Sequence, residues 1–306
     1  MLDSDEWIDI HAHVRGLTRF GVDPTAYGVD QGVGVLVDAG SAPPRLLSAL
    51  LPGLKRQTHT TVLAWANICA EGIADDDCQD HDISGGAARD ALGTAPGRVV
   101  GIKLQASNTR LAARGMEAIA NAKVVAAEFG VPLMVHVGNG PPTIREVADA
   151  LRPGDIITHF AHGKPEGALD GLRTHPSILA ARQRGVLFDI GHGAGSFSFG
   201  VMEHLLTLGF APDIISTDLH DRSAKSPVGS LADCMSKLHC LGMPLDDVIR
   251  AVTETPRKAL GLPTATRRTR YSVVQDDWVA TDSYGETVRM GRRFVPEGGV
   301  VEANNG

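Results

Sequence analysis

Short runs rich in Val, Ile and Leu recur along the chain, separated by Ala-rich and Leu-rich stretches with helical spacing. Runs that are apolar at successive positions belong to strands buried on both faces, as in a parallel sheet covered by helices. VGVLV, TVLAWA, PLMV and VLFDI are of this kind. The predicted strands are residues 7–13, 33–38, 61–68, 99–104, 132–137, 156–159, 186–190 and 213–218. Between two of them, Met116 to Phe129 (MEAIANAKVVAAEF) stops at Gly130 before Val131 and Pro132, so helix, glycine stop and strand follow in order. Ser230 to Leu241 repeats that order before Gly242.

Eight strand and helix units in alternation predict an α/β fold, a (β/α)8 TIM barrel, over residues 1–262. Past Leu262 the pattern changes. Pro263 to Arg270 is polar and basic, and Tyr271 to Val274, Trp278 to Thr281 and Glu286 to Met290 read as strands, which gives a small β appendage over residues 263–306. The Gly-rich and Asn-rich end from Glu297 is expected to fray.

Composition narrows the function classes. With 29 Lys and Arg against 36 Asp and Glu, the net charge is -7 and no basic run points to nucleic acid or an anionic membrane. A small-molecule substrate is the expected partner. Cys69, Cys78, Cys234 and Cys240 form no CxxC pair, and all four are read as reduced and buried. The first six residues lack an apolar signal core and no window reads as a membrane span, so the expected location is the cytoplasm.

Residues with ligand chemistry fall toward the C-terminal parts of the predicted strands, the catalytic face of such barrels. In Trp7-Ile8-Asp9-Ile10-His11-Ala12-His13 the alternation sends His11 and His13 to the same side with Asp9 below them. Imidazole is a common zinc ligand, and a carboxylate such as Asp218 can complete a site that keeps a position open for water. Two hydrogen-bonded strand histidines are the bland alternative. Lys103 lies in the apolar run Val99-Val100-Gly101-Ile102-Lys103-Leu104, where a bare ammonium is costly to desolvate. His136 and His159 end the fifth and sixth strands.

His11 and His13 on strand 1, Lys103 on strand 4, His136 and His159 on strands 5 and 6 and Asp218 on strand 8 give the chain its resemblance to the amidohydrolase superfamily of binuclear metal hydrolases. GIKLQAS, PLMVHVGNGPP, DIITHFAHGK, FDIGHGAGSFSF, DIISTDLH and the tail's DSYG look most like its amidohydrolase/deacetylase branch, whose members are often loosely labelled dihydroorotases. The resemblance implies two divalent cations, expected to be Zn2+, with His11, His13 and Asp218 on the first and His136 and His159 on the second. It further implies that CO2 adds to Lys103 to give a carbamate bridging the two; an ion-paired lysine is the alternative. Asp218 is expected to be catalytic as well, taking a proton from a metal-bridging water and later giving it to the leaving group.

Substrate contacts are expected at the ends of other strands. His192 and Gly193 follow strand 7, where small residues permit close approach and His192 would polarise an acyl carbonyl or hold a carboxylate; a purely structural turn is the other reading. Arg15 corresponds to the HxHxR arginine that pairs with substrate carboxylate in dihydroorotases, or is an ordinary surface residue. His162, Lys164, His220 and Arg222 also follow strands on that face, whereas His59, His81, His175, His204 and His239 have no ligand company. Relatives carry several strands before the HxH strand, so the appendage reads as N-terminally truncated, with edges that a homo-oligomer would cover. The expected activity is removal of an acyl group, chiefly acetyl, from small N-acyl amino acids or O-acyl α-hydroxy acids by metal-bridging hydroxide. A cyclic-amide hydrolase of dihydroorotase or hydantoinase type and a catalytically silent barrel subunit are the rivals.

Overall fold

The computed structural model describes residues 1–73 and 82–303 of the chain. The strands in chain order are β1 (Leu2–Asp5), β2 (Trp7–Ala12), β3 (Val33–Asp38), β4 (Thr61–Asn67), β5 (Val99–Gln105), β6 (Leu133–His136), β7 (Ile156–Thr158), the short hairpin β8 (Leu169–Asp170) and β9 (Arg173–Thr174), β10 (Leu187–Asp189), β11 (Arg267–Thr281) and β12 (Thr287–Glu302). A seven-stranded sheet in the order β10-β7-β6-β5-β4-β3-β2 is parallel throughout.

Strand alternation divides the apolar residues into two layers. Val35 and Val37 of β3, Leu63 and Trp65 of β4, Val100 of β5, Met134 of β6 and Ile156 of β7 form one cluster with Ile8, Ile10, Ile214 and Leu260, which fills the barrel. Their neighbours Leu36, Val62, Ala64, Val99, Leu133, Val135 and Ile157 face outward into the larger core under the helices. That two-sided burial is why these strands read as apolar runs.

The eighth stave departs from the expected strand at 213–218. Ile214 bridges Asp189 and Leu219 bridges Ala12, both in parallel, so this segment closes the barrel between β10 and β2. It is not a regular strand, because Asp218 has φ +51 and breaks the extended conformation between its two points of attachment. Its backbone is still used: Asp218 N donates to His11 O at 2.6 Å, and Gly193 N donates to Thr217 O at 2.9 Å.

Helices cover the outside, among them α1 (Leu47–Lys55), α2 (Gly86–Thr94), α3 (Asn108–Leu111), α4 (Gly115–Phe129), α5 (Ile144–Ala150), α6 (Pro176–Arg184), α7 (Phe199–Thr207) and α8 (Leu231–Cys240). Helix α4 ends at Gly130, whose φ of +64 admits the left-handed stop expected there. Both α5 and α8 start with a capping box, Thr143 with Glu146 and Ser230 with Asp233. None of the described helices is long and apolar enough to cross a membrane.

The appendage is an antiparallel sheet in the order β1-β11-β12. Residues before Trp7 supply β1, with Leu2 opposite Tyr271 and Asp5 opposite Arg268. The end from Glu297 does not fray where expected: β12 runs on to Glu302, because Val301 and Glu302 still find partners in Arg268 and Arg267. Helix α8 lies against β12, where Phe294 N donates to Ser236 Oγ at 2.9 Å and Arg293 pairs with Asp233 at 2.8 Å.

Two of the cysteines differ from the reduced and buried state expected of them. Cys69 is disulfide-bonded, so the absence of a CxxC pair did not exclude a disulfide. Cys240 is free but only partly buried, with Sγ 3.4 Å from Arg292 O; Cys234 is free and buried as expected. Cys78 and His81 lie outside the described residues.

Candidate metal centre

The strand ends bring all six ligand candidates to one mouth of the barrel. Asp218 Oδ1 lies 3.2 Å from His11 Nε2 and 3.0 Å from His13 Nε2, and Asp218 Oδ2 lies 4.0 Å from His159 Nε2. Lys103 Nζ is 3.1 Å from His11 Nε2. The His136 and His159 rings meet edge on, with centroids 4.3 Å apart. Five of the six come from β2, β5, β6, the residue after β7 and the closing stave, and His13 follows directly on β2.

Local backbone irregularities aim these groups. Ile10 packs inside the barrel, yet the adjacent His11 also turns into the mouth, which strict alternation forbids. The pairing of β2 with β3 slips between Asp9 and Ala12, and such a bulge re-aims a side chain. His159 and Asp218 both have positive φ, +72 and +51, a conformation costly for residues other than glycine and concentrated at functional sites.

Hydrogen bonds around the histidines define which nitrogen faces the mouth. Ser41 Oγ donates to Asp38 Oδ2 at 2.8 Å, so it accepts from His13 Nδ1 at 2.7 Å. In the same way Thr158 Oγ1 donates to Asp189 Oδ2 at 2.7 Å and accepts from His11 Nδ1 at 3.0 Å. His159 Nδ1 donates to the Gly191 carbonyl at 2.5 Å. Each ring therefore carries its proton on Nδ1 and presents a bare Nε2 lone pair inward.

Three acceptors, two imidazole lone pairs and a carboxylate oxygen, thus converge within 3.2 Å. Acceptors do not hold one another, so the arrangement fits a cation between them. His159 Nε2 is buried with no hydrogen-bond partner among the described residues, a second sign of a donor set built for a metal. His11, His159 and Asp218 form a group whose ligand atoms all lie within 4.8 Å of one another. The outer partners are of the kind that fix ring orientation and tautomer in metal sites.

Charge states suit ligation. Burial holds His136 and His159 well below the ordinary imidazole value, with Lys103 acting in the same direction, so both rings are neutral near pH 7. Burial pushes the Asp218 carboxyl up, but the charge of a protonated His11 and hydrogen bonds from His11 and His13 outweigh it and hold the group well below the usual carboxylate range; Asp218 in turn helps to raise His11, the shared proton standing where a cation would. Burial lowers Lys103 to about 7 against the opposing pull of Asp218, Asp189 and Asp38. Beneath the site, Asp9 accepts from His11 N and Thr217 N, each at 3.2 Å, and burial raises it to about 7.

The expected substrate contacts have distinct fates. His192 is fully buried: Nδ1 donates to Gly193 O at 3.0 Å and Nε2 accepts from Lys237 Nζ at 2.9 Å, leaving no ring nitrogen free. Gly193 faces Asp218 directly, since a Cβ there would lie 2.5 Å from Oδ2. Arg15 is 66% exposed on its side chain and faces Asp23 at 3.8 Å, away from any buried partner. The His220 ring lies 6.3 Å from that of His13.

Several residues with a part in this site were not singled out from the sequence. Asp38 and Asp189 end β3 and β10, and a carboxylate in an apolar run was the signal available. Ser41 and Thr158 carry no such signal. Lys237 of α8 donates to His192, Pro227 O and Thr281 O. The tail's DSYG also reaches in: Ser283 Oγ donates to Gly193 O at 2.9 Å, Tyr284 OH accepts from Gly163 N at 2.9 Å, and Asp282 Oδ2 accepts from Phe199 N at 3.1 Å.

Histidines, a buried lysine and an aspartate thus converge at the strand ends of a parallel α/β barrel, a donor set suited to a metal. Comparison with known proteins places it. A deacetylase of Brucella anthropi is 33% identical over 320 aligned positions, covering 98% of this chain and 78% of that protein. A deacetylase of Enterococcus faecalis is 35% identical, covering 82% of this chain and 69% of that protein. A solved structure described as an adenine deaminase superposes with a TM-score of 0.91 at 30% identity, covering 98% of this chain and 87% of that one. One described as a dihydroorotase gives 0.89 at 31% identity, covering 98% and 86%. No family model matches the chain. The chain belongs to the amidohydrolase superfamily, among relatives that carry the name deacetylase.

Proposed function

We propose that the protein is a metal-dependent deacylase that removes an acyl group, chiefly acetyl, from small N-acyl amino acids or O-acyl α-hydroxy acids. One observation carries the chemistry: three lone pairs, from His11, His13 and Asp218, converge within 3.2 Å. Relatives named deacetylases, which cover nearly the whole chain, support removal of an acetyl group.

His11, His13 and Asp218 would hold one divalent cation, and His136 and His159 a second. Imidazole and carboxylate donors suit zinc. When bound, the pair supplies Lewis acidity toward an acyl carbonyl and brings the pKa of water near neutral. Lys103 would join as its carbamate. Its pKa of about 7 leaves much of the amine neutral, the form that adds CO2 with loss of one proton and exchanges a buried cation for an anion.

Asp218 is placed to move the proton. At Oδ2, on the side that Gly193 leaves open, it accepts a proton from the attacking water as the oxygen-to-acyl-carbon bond forms. The same atom returns the proton to the departing nitrogen or oxygen as the acyl bond breaks. Ser41 and Thr158 hold His13 and His11 in the tautomers that leave Asp218 ionised and free for this task. Lys237 holds the His192 ring and Ser283 the Gly193 carbonyl beside it.

The test is turnover by zinc-loaded protein of acylated amino acids and hydroxy acids set beside cyclic amides such as hydantoins. Hydrolysis of the open-chain acyl compounds is the expected result. Turnover confined to the cyclic amides would assign the site to ring opening instead.

A further inference from the structure

Three residues past His159 the chain presents a second histidine, His162, whose side chain is as deeply buried as the metal-centre candidates, at 2% exposure. Its Nδ1 accepts from the backbone N–H of Lys164 at 3.1 Å, so in the neutral ring the proton sits on Nε2. That Nε2 is shielded from water and has no hydrogen-bond partner among the described residues. A buried N–H donor without an acceptor is costly and calls for one.

Lys164 supplies a second unanswered donor. It is partly buried, and among the described residues no carboxylate lies within ion-pair distance of its Nζ. Burial lowers its pKa, with no negative group acting against that. Lys164 and His162 meet over Gly138, where an added Cβ would lie 3.4 Å from both Lys164 Nζ and His162 Cδ2, the ring carbon next to Nε2. Gly138 is two residues beyond His136, and the charge of Lys164 is felt at the His136 ring. Two donors without acceptors among the described residues thus lie together over Gly138, beside a metal-centre candidate.

We propose that His162 Nε2 and Lys164 Nζ form an anion subsite beside His136 that holds the carboxylate of the acylated substrate. The proposal rests on the deacylase reading and deepens it by assigning the residues that select anionic substrates. The exposed Arg15, turned toward Asp23, is a poorer candidate for that work than a buried donor and a half-buried ammonium. A carboxylate here answers both groups at once, while a neutral amide leaves the ammonium without a counter-charge.

Calorimetric binding and steady-state kinetics with N-acetylglycine and its neutral carboxamide, on the zinc-loaded protein, test the subsite. The expected preference for the carboxylate is about tenfold or more, the scale of one charge-assisted hydrogen bond. Lys164→Met and His162→Phe each bring that ratio close to unity, while Lys164→Arg and His162→Gln, which keep a donor, retain part of it. Equal binding of the two compounds by the unaltered protein, or a preference that survives Lys164→Met, overturns the subsite. Turnover of acyl compounds without a carboxylate preference removes the subsite and leaves the deacylase reading. A Lys164-dependent preference in binding without any turnover keeps the subsite and removes that reading.

Discussion

Lys103 Nζ stands 3.1 Å from His11 Nε2, one nitrogen base against another, inside a strand whose other residues, Gln105 apart, are apolar. An ammonium there meets a lone pair but repels any cation held by His11, so Lys103 suits a metal centre only once its charge is removed or reversed. Lys103→Ala is therefore expected to lower activity by more than about a hundredfold and to reduce bound zinc, measured by elemental analysis alongside acyl hydrolysis. Retention of full metal content by this variant would return Lys103 to a structural role.

The hydroxyl relays Asp38–Ser41–His13 and Asp189–Thr158–His11 hold each imidazole from behind. Ser41→Ala and Thr158→Val remove the acceptor for Nδ1 while leaving the ligand atoms in place. Zinc affinity is expected to fall by about 10–100-fold in each, read by competition with a chelating dye. Unchanged affinity in both would show that the rings are oriented by packing alone.

Gly193 has φ +56, and a Cβ at this position would sit 2.5 Å from Asp218 Oδ2. Gly193→Ala combines backbone strain of about 1–3 kcal/mol with a direct clash at the proton-carrying oxygen. Because about 1.4 kcal/mol is tenfold in rate, kcat is expected to drop at least tenfold with the fold retained. Steady-state kinetics with circular dichroism as the control separates the two effects.

Away from the site, the capping box of α5 links stability to pH. Thr143 Oγ1 donates to Glu146 Oε2 at 2.9 Å and Thr143 N donates to the same atom at 2.8 Å, which together lower the Glu146 pKa. A carboxyl lowered in the folded state contributes stability above its unfolded value, and that contribution is lost as pH falls through the lowered one. Thr143→Ala should cost about 1 kcal/mol at neutral pH, with a smaller deficit in acid, as urea unfolding at the two conditions would show. A deficit that grows toward acid would contradict the assigned sign.

The chain spelled out its barrel because strands buried on both faces leave unbroken apolar runs, and a charged or ligating residue within such a run stands out. Lys103 and the strand-end histidines were legible for that reason. The closing stave was harder: Ile214 and Leu219 attach it, but the left-handed turn at Asp218 has no signature in an aspartate. Ser41 and Thr158 escaped notice because hydroxyl residues are common, and their use here depends on contacts between separate strands. Lys237 looked like any lysine of an amphipathic helix until the fold buried it against His192. The free terminal segment read as loose from its glycines and asparagines, yet pairing with β11 orders it as far as Glu302.

The central claim is that His11, His13, Lys103, His136, His159 and Asp218 enclose a pair of cations. A crystal of the zinc-loaded protein measured at the zinc absorption edge tests it most directly. Two anomalous peaks are predicted, one against His11, His13 and Asp218 and the other against His136 and His159, with continuous density from Lys103 Nζ reaching both. Zinc bound elsewhere, or no peak among these six residues at saturating metal, would contradict the account.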